Sequence, residues 1–265
     1  MDNIRTRIRS IAREQILDIL GFFSRPSNGV HLLNGHILTH NEDLDASFFD
    51  DQLKVLTKQS TIIPFAEAVQ ILNSKKIINQ SLIAFSFDDG FAECYTHIAP
   101  VLEKYNGHAC FFICPNFIDG NEEYISTFLK HKVHQKIFKK PMNWQQIKEL
   151  NNMGHIIGSH TMDHVRVSEI RDKADLHYQI GGCKQIIESY TNDKCDFFAF
   201  TYGNLGRDFN FNDVYVAKEY YSNVFSAFGW KKYFCCDGLV FNRRHAEPYW
   251  KADHINYFIS KKLTF

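Results

Sequence analysis

The stretch SLIAFSFDDGFAECY, residues 81–95, runs a mostly apolar segment straight into Asp88, Asp89 and Gly90. A short apolar run bounded by a turn signal reads as a strand buried on both faces. Two neighbouring carboxylates are an expensive way to end such a strand, because they repel each other and burying either one unpaired is costly. One aspartate there could cap the following helix. Two together with a glycine leave capping an incomplete explanation, and a bound cation would resolve it.

Outward from this segment, strand and helix patterns alternate. FAEAVQIL, FAECYTHIAPVLEKY, NWQQIKELNNMG, HYQIGGCKQIIESY and FNDVYVAKEYY read as helices, with Gly154 stopping the third. GHACFFICP, the start of HIIGSHTMDH, CDFFAFTYG, YSNVFSAF and DGLVFNRR read as strands. Short connections and strands apolar on both faces predict parallel βα units. On pattern alone, a closed barrel and an open doubly wound sheet both remain open. Residues 30–60 read as loops and short elements. The division that follows is an N-terminal helix and loop segment, 1–60, packing on a catalytic domain, 61–265.

The 265 residues suffice for one large α/β domain or two small ones, and 30 Lys plus Arg balance 30 Asp plus Glu. That balance argues against a nucleic-acid binder, which needs a basic face. The seven cysteines are odd in number and lack CxxC spacing, which fits buried thiols in a reducing compartment. The N-terminus carries charges throughout and no run of about 18 apolar residues occurs, so the expectation is a cytoplasmic protein with no transmembrane segment. Ile4, Ile8, Ile11, Leu17 and Leu20 recur at helical spacing with Arg5, Arg9 and Arg13 between them. Such a helix packs on the domain in the favoured reading; in the other it makes a peripheral contact with an anionic membrane.

SFDDG, SHTMDH and FTYGN each follow a predicted strand. Carboxyl ends of parallel strands form one rim, so residues distant in sequence converge there. His160 and His164 are four apart, which on a helical turn places two imidazoles on one face. Two His with one carboxylate leave open positions on zinc or a similar divalent ion, a catalytic rather than a structural arrangement. One aspartate would then be neutralised by the ion, and its neighbour would stay ionised as a general base.

SFDDG, GSHTMDH and FAFTYGN, with HIAPVLEKYNGHACFFICPNFIDG and MNWQQIKELNNMGHIIGSH around them, resemble the polysaccharide deacetylase superfamily over residues 78–205. This is the NodB-homology domain, or carbohydrate esterase family 4. The resemblance implies an α/β fold, a distorted (β/α) barrel of the polysaccharide deacetylase type, with seven strands expected. It implies metal-dependent hydrolysis of an acetyl group on a sugar, a carbon–nitrogen, non-peptide bond when the group is N-linked. By position, Asp88 matches the catalytic base, and Asp89, His160 and His164 match the metal ligands. Thr161 matches the hydroxyl supporting the histidine loop, and Tyr202 the residue whose backbone N–H helps bind the oxyanion. The divalent metal expected is Zn2+, with Co2+ or Ni2+ as substitutes. The partner expected is an acetylated sugar, a sugar nucleotide or a lipid-linked glycan.

Three positions depart from the family pattern. The third motif lacks its Arg and carries Thr201 where Pro is common, and Ile156 replaces an acidic residue before the metal histidines. The late histidine motif that supplies a general acid has no clean copy, which leaves His245 as the candidate over His254. Asp237 and Arg243 could also reach the rim, without a role fixed by sequence. The competing functions are hydrolysis of another C–N bond, such as deformylation, and a metal-retaining, glycan-binding pseudoenzyme.

Overall fold

In the computed structural model, which describes residues 2–227 and 231–265 with side chains from Arg13 onward, SLIAFSF is a strand with all seven residues buried. In chain order the strands are β1 (Gly29–Gly35), β2 (Thr61–Ile62), β3 (Ser81–Phe87), β4 (Cys110–Ile113), β5 (Ile156–Ser159), β6 (Phe197–Ala199) and β7 (Asn223–Ser226), followed by β8 (Phe234–Cys235), β9 (Val240–Asn242) and β10 (Arg244–His245). They pair in the order β10-β1-β3-β4-β5-β6-β7-β9-β8, with β2 beside β3. Every pairing is parallel except β8 with β9.

One segment brings the two ends of this sheet together. Val240–Asn242 runs beside β7, and after the single residue Arg243 the chain runs beside β1, pairing Leu33 with Arg244. The sheet therefore curls round on itself as a distorted (β/α) barrel, with most of the helices outside.

The period of two along each strand divides the core. Leu82 and Ala84 of β3 join Val30, Leu32, Phe112, Ala199, Phe225 and Phe241 in one apolar cluster, which fills the barrel. Helix Phe65–Asn73 adds Phe65, Ala68, Val69 and Leu72 to this cluster. The alternate residues Ile83, Phe85 and Phe87 join Phe111, Ile113 and Phe198 in a second cluster beneath the outer helices. By the same alternation, Ser86 and then Asp88 continue the inward-facing row.

Residues 30–60 hold more than loops. GVHLLNG is a fully buried strand in register with β3 from Gly29↔Ser81 to Gly35↔Phe87, and Ser47–Leu56 is a helix. His31 and Asn34 interrupt its apolar pattern, yet both are buried. The N-terminal helix spans Asp2–Phe23. The side chains of Ile4, Ile8 and Ile11 lie outside the described residues, and Leu17 is half-buried.

Candidate active site

Five strand ends deliver the candidate residues to one cavity of about 460 Å³. Asn34 and His36 come from β1, Asp88 and Asp89 from β3, His160 and His164 from β5, and Tyr202 from β6; His245 and Glu247 come from β10 and the turn after it. A larger cavity, about 1050 Å³, includes Asp237 in its lining. Asp237 is not in the wall of the first cavity, whereas Arg243 reaches the carboxylates there.

Asp89 leaves the strand with φ 76°, a left-handed conformation that Asp tolerates better than most residues. The turn brings its carboxylate to the imidazoles beside the inward-facing Asp88. Asp89 Oδ1 lies 3.2 Å from His164 Nε2 and 3.7 Å from His160 Nε2. Nevertheless Asp89 Oδ1 is buried without an aligned hydrogen-bond partner. Donors bound at about 2.0–2.2 Å to one tetrahedral ion stand roughly 3.3–3.6 Å apart. The donor spacing and the orphaned oxygen both fit a divalent cation.

The histidine loop is shaped for the same purpose. Its spacing of four is produced by a tight turn, not a regular helix, with left-handed Thr161 (φ 61°) and His164 (φ 47°). Thr161 Oγ1 accepts the Val165 N–H at 3.2 Å, and Thr201 Oγ1 donates to Val165 O at 2.5 Å. His160 Nδ1 donates to Ala199 O at 2.8 Å, which leaves the Nε2 lone pair directed at Asp89. Burial first, against the pull of Asp88, lowers the His160 pKa to about 4, so the ring is neutral, as a ligand must be.

Asp88 is 2% exposed and makes no use of the triad's imidazoles at hydrogen-bond distance. Arg243 holds it instead. Nη1 donates to Oδ1 at 2.7 Å and Nη2 to Oδ2 at 2.9 Å, a two-point clamp. The guanidinium also donates to Ser86 Oγ at 3.0 Å and Ser226 O at 3.1 Å, and it stacks 4.7 Å above the Phe112 ring. Burial alone would raise the Asp88 pKa, but Arg243 and then His160 outweigh it and hold the value at about 2. The arginine absent from the third motif thus has a counterpart on the segment that closes the barrel.

Tyr202 sits at φ 59°, with its ring edge-on to His164 at 4.8 Å and its hydroxyl donating to Lys132 O at 3.0 Å. His245 is half-exposed, and its Nε2–H donates to Glu247 Oε1 at 2.6 Å. Sequence reasoning passed over His36, whose Nδ1 donates to that same Glu247 oxygen at 2.7 Å. Glu247 also accepts the His36 backbone N–H at 2.9 Å. Burial opposes a charge on His36, but Glu247, with Asp89 and Asp88 beyond it, pushes the pKa up to about 10. Glu247 itself is held well below the usual carboxylate range by the two histidines, despite its burial. Two residues past His36 the chain is held by a buried Glu93–Lys139 pair, since Glu93 also accepts the Leu38 N–H.

A clamped carboxylate beside a buried Asp-His-His donor set, on the carboxyl rim of a βα barrel, defines a hydrolase site. The polysaccharide deacetylase family profile matches residues 75–221, and the chain belongs to that family. YxkH of Bacillus subtilis (strain 168), which carries polysaccharide deacetylase in its name, is 22% identical over 142 residues. Those residues are 54% of this chain and 44% of that protein, so the match spans less than half of the relative's length. Among solved structures, IcaB from Ammonifex degensii superposes with a TM-score of 0.68 at 18% identity, over 89% of this chain and 99% of that one. The Streptococcus pyogenes deacetylase PplD, in complex with acetate, gives 0.64 at 15% identity, over 87% and 97%. At these identities the two structures speak for the fold.

Proposed function

We propose that the protein is a metal-dependent hydrolase that removes the acetyl group from an acetylated sugar, a sugar nucleotide or a lipid-linked glycan intermediate. The observation that carries this reading is the division of labour at Asp88 and Asp89. Asp89 points an unpartnered oxygen at two imidazoles, while Asp88 is kept ionised and oriented by Arg243. Asp89, His160 and His164 would hold the cation, with Zn2+ favoured by the mixed imidazole and carboxylate donors. When bound, the ion supplies Lewis acidity, polarising the acyl carbonyl and acidifying water.

The remaining steps belong to side chains and backbone. Asp88 takes the proton from the attacking water, and its clamp keeps one carboxylate face toward the cavity. The turn at Tyr202 offers its backbone N–H to the developing oxyanion. His36, protonated beside Glu247, is placed to give a proton to the departing amine, and His245 shares the same carboxylate from the more exposed side. A module that only bound glycans would have no use for a clamped, ionised base, which supports catalysis over binding alone. The seven free thiols, six of them buried, support a reducing compartment.

Acetate release from a panel of N- and O-acetylated sugars, measured on chelator-stripped protein and after adding Zn2+ or Co2+, tests the proposal. Turnover should need the metal and should fall by about 100-fold or more in Asp88→Asn. Turnover that persists in both the stripped protein and His160→Ala refutes the metal mechanism; metal binding without turnover on any acylated sugar refutes the hydrolase.

A further inference from the structure

The N-terminal helix carries a surface that the barrel does not use. One side is fastened to the body. Gly21 is buried so close to the helix Ala252–Ile259 that a Cβ would stand 2.1 Å from Asp253 O. Asp18 accepts from Lys251 Nζ at 2.7 Å and from His254 Nε2 at 2.8 Å, and past the helix end the Ser27 N–H donates to Ile259 O at 3.0 Å. The opposite side is apolar and bare. Ile16 (56% exposed), Ile19 (62%), Leu20 (42%) and Phe23 (77%) recur at i, i+3, i+4 and i+7, with Phe22 (73%) at their edge. A stripe of this spacing is what a helix ordinarily buries.

The charges beside it indicate what covers it. Arg13 and Arg25 are exposed at either end of the stripe. The sequence adds Arg5, Arg7 and Arg9 to the same helix, against Asp2, Glu14 and an Asp18 already engaged by Lys251. A second copy meeting this face across a two-fold axis would present the same excess of arginine and no acidic stripe to match it. An anionic lipid surface answers both features, accepting the apolar side chains below the headgroups and pairing the arginines with phosphates.

We infer that the apolar face of the N-terminal helix docks the protein on an anionic membrane surface. Docking there has a consequence for the cavity described above. Tyr249 lines both that cavity and a groove bounded by Arg13 and Leu17 of the helix on one side and Trp250 and His254 on the other. The groove under the docked helix thus shares Tyr249 with the active-site mouth, which links the docking element to the cavity through one side chain. The docking itself is independent of which acyl group is cleaved, or whether one is.

Flotation of the full chain with vesicles of equal parts phosphatidylglycerol and phosphatidylcholine tests the inference, with pure phosphatidylcholine vesicles as the control. The protein should float with the anionic vesicles at low salt and be released by high salt. The triple variant Ile16→Ser, Ile19→Ser, Phe23→Ser alters only exposed side chains and should lower partitioning at least about tenfold with its melting temperature unchanged. Arg13→Glu with Arg25→Glu leaves the apolar stripe intact and should weaken binding about fivefold per charge. Failure of the wild-type chain to float with anionic vesicles overturns the inference, as does equal flotation of the triple variant. So does sedimentation showing a wild-type dimer that the triple variant dissociates, since a second copy then covers the face.

Discussion

Replacing Arg243 by Met removes the clamp while keeping much of the side chain's volume, and the consequences follow from burial. Both partners are nearly inaccessible, with Arg243 at 1% and Asp88 at 2% exposure. Asp88 in the clamp titrates at about 2 rather than the ordinary 3.8. A carboxyl lowered in this way stabilises the fold above pH 3.8, and the contribution fades as pH falls toward 2; the gap corresponds to about 2–3 kcal/mol at neutral pH. Breaking a buried pair from one side costs more, about 3–5 kcal/mol, because the remaining charge is stranded. For a chain of this size the melting temperature should fall by about 6–20 °C. With burial unopposed, the Asp88 pKa should pass its ordinary value, and the acid limb of kcat/KM should move up by about two pH units or more. The double variant Arg243→Met with Asp88→Asn should recover part of the lost stability, since no charge is left behind. Thermal melts by circular dichroism and a pH–rate profile decide the matter. If Arg243→Met melts within a degree or two of wild type and its acid limb stays in place, the clamp is not what holds the base.

Asp89→Asn and His160→Ala should each weaken Zn2+ binding by more than about 100-fold in titration calorimetry. Asp88→Asn should leave that binding in place while cutting kcat/KM by about 10²–10⁴-fold. His36 stands above its ordinary 6.5 because of Glu247, so its proton is retained until pH approaches about 10. Glu247→Gln should therefore bring the alkaline limb of kcat down toward pH 6.5, and an unmoved limb would remove His36 from the reaction. Lys139→Met strands Glu93 in the core and should cost about 3–5 kcal/mol in urea denaturation, without changing Zn2+ affinity. Gly203→Ala forces a Cβ to within 2.3 Å of Ala227 N at φ 73°, and should lower stability by about 1–3 kcal/mol.

The parts of this architecture that were legible in the sequence are those whose signal is local. SLIAFSF advertises a buried strand in seven consecutive residues, and the aspartate pair, SHTMDH and FTYGN each begin at a strand end or one residue past it. The helix starting at Trp144 is announced by Asn143 and Gln146, which form a reciprocal cap. The parts that were missed, or named without a role, depend on distance along the chain. Arg243 acts on a carboxylate 155 residues away, and His36 on one 211 residues away. No window of sequence holds both ends of either contact. β1 was obscured by His31 and Asn34, polar residues that its burial in the sheet overrides. The turn at His160–His164 was read as helical because spacing of four has two geometric solutions, and only backbone dihedrals distinguish them.

The bend at Arg243 does two jobs with one residue. It is the hinge at which the last segment passes from β7 to β1, and it is the hand that grips the Asp88 carboxylate. In a ring of strands, every position on the rim has neighbours on both sides, so a guanidinium can reach the same carboxylate from more than one stave. The vacancy in the third motif is therefore no sign of a dead site. The inventory that matters is of what stands around the rim, and a strand at the far end of the sequence can fill a place that a nearer one leaves open. The same economy has a cost in robustness: a loosened last stave opens the barrel and releases the base together, so this molecule should lose its chemistry at the first step of unfolding rather than the last.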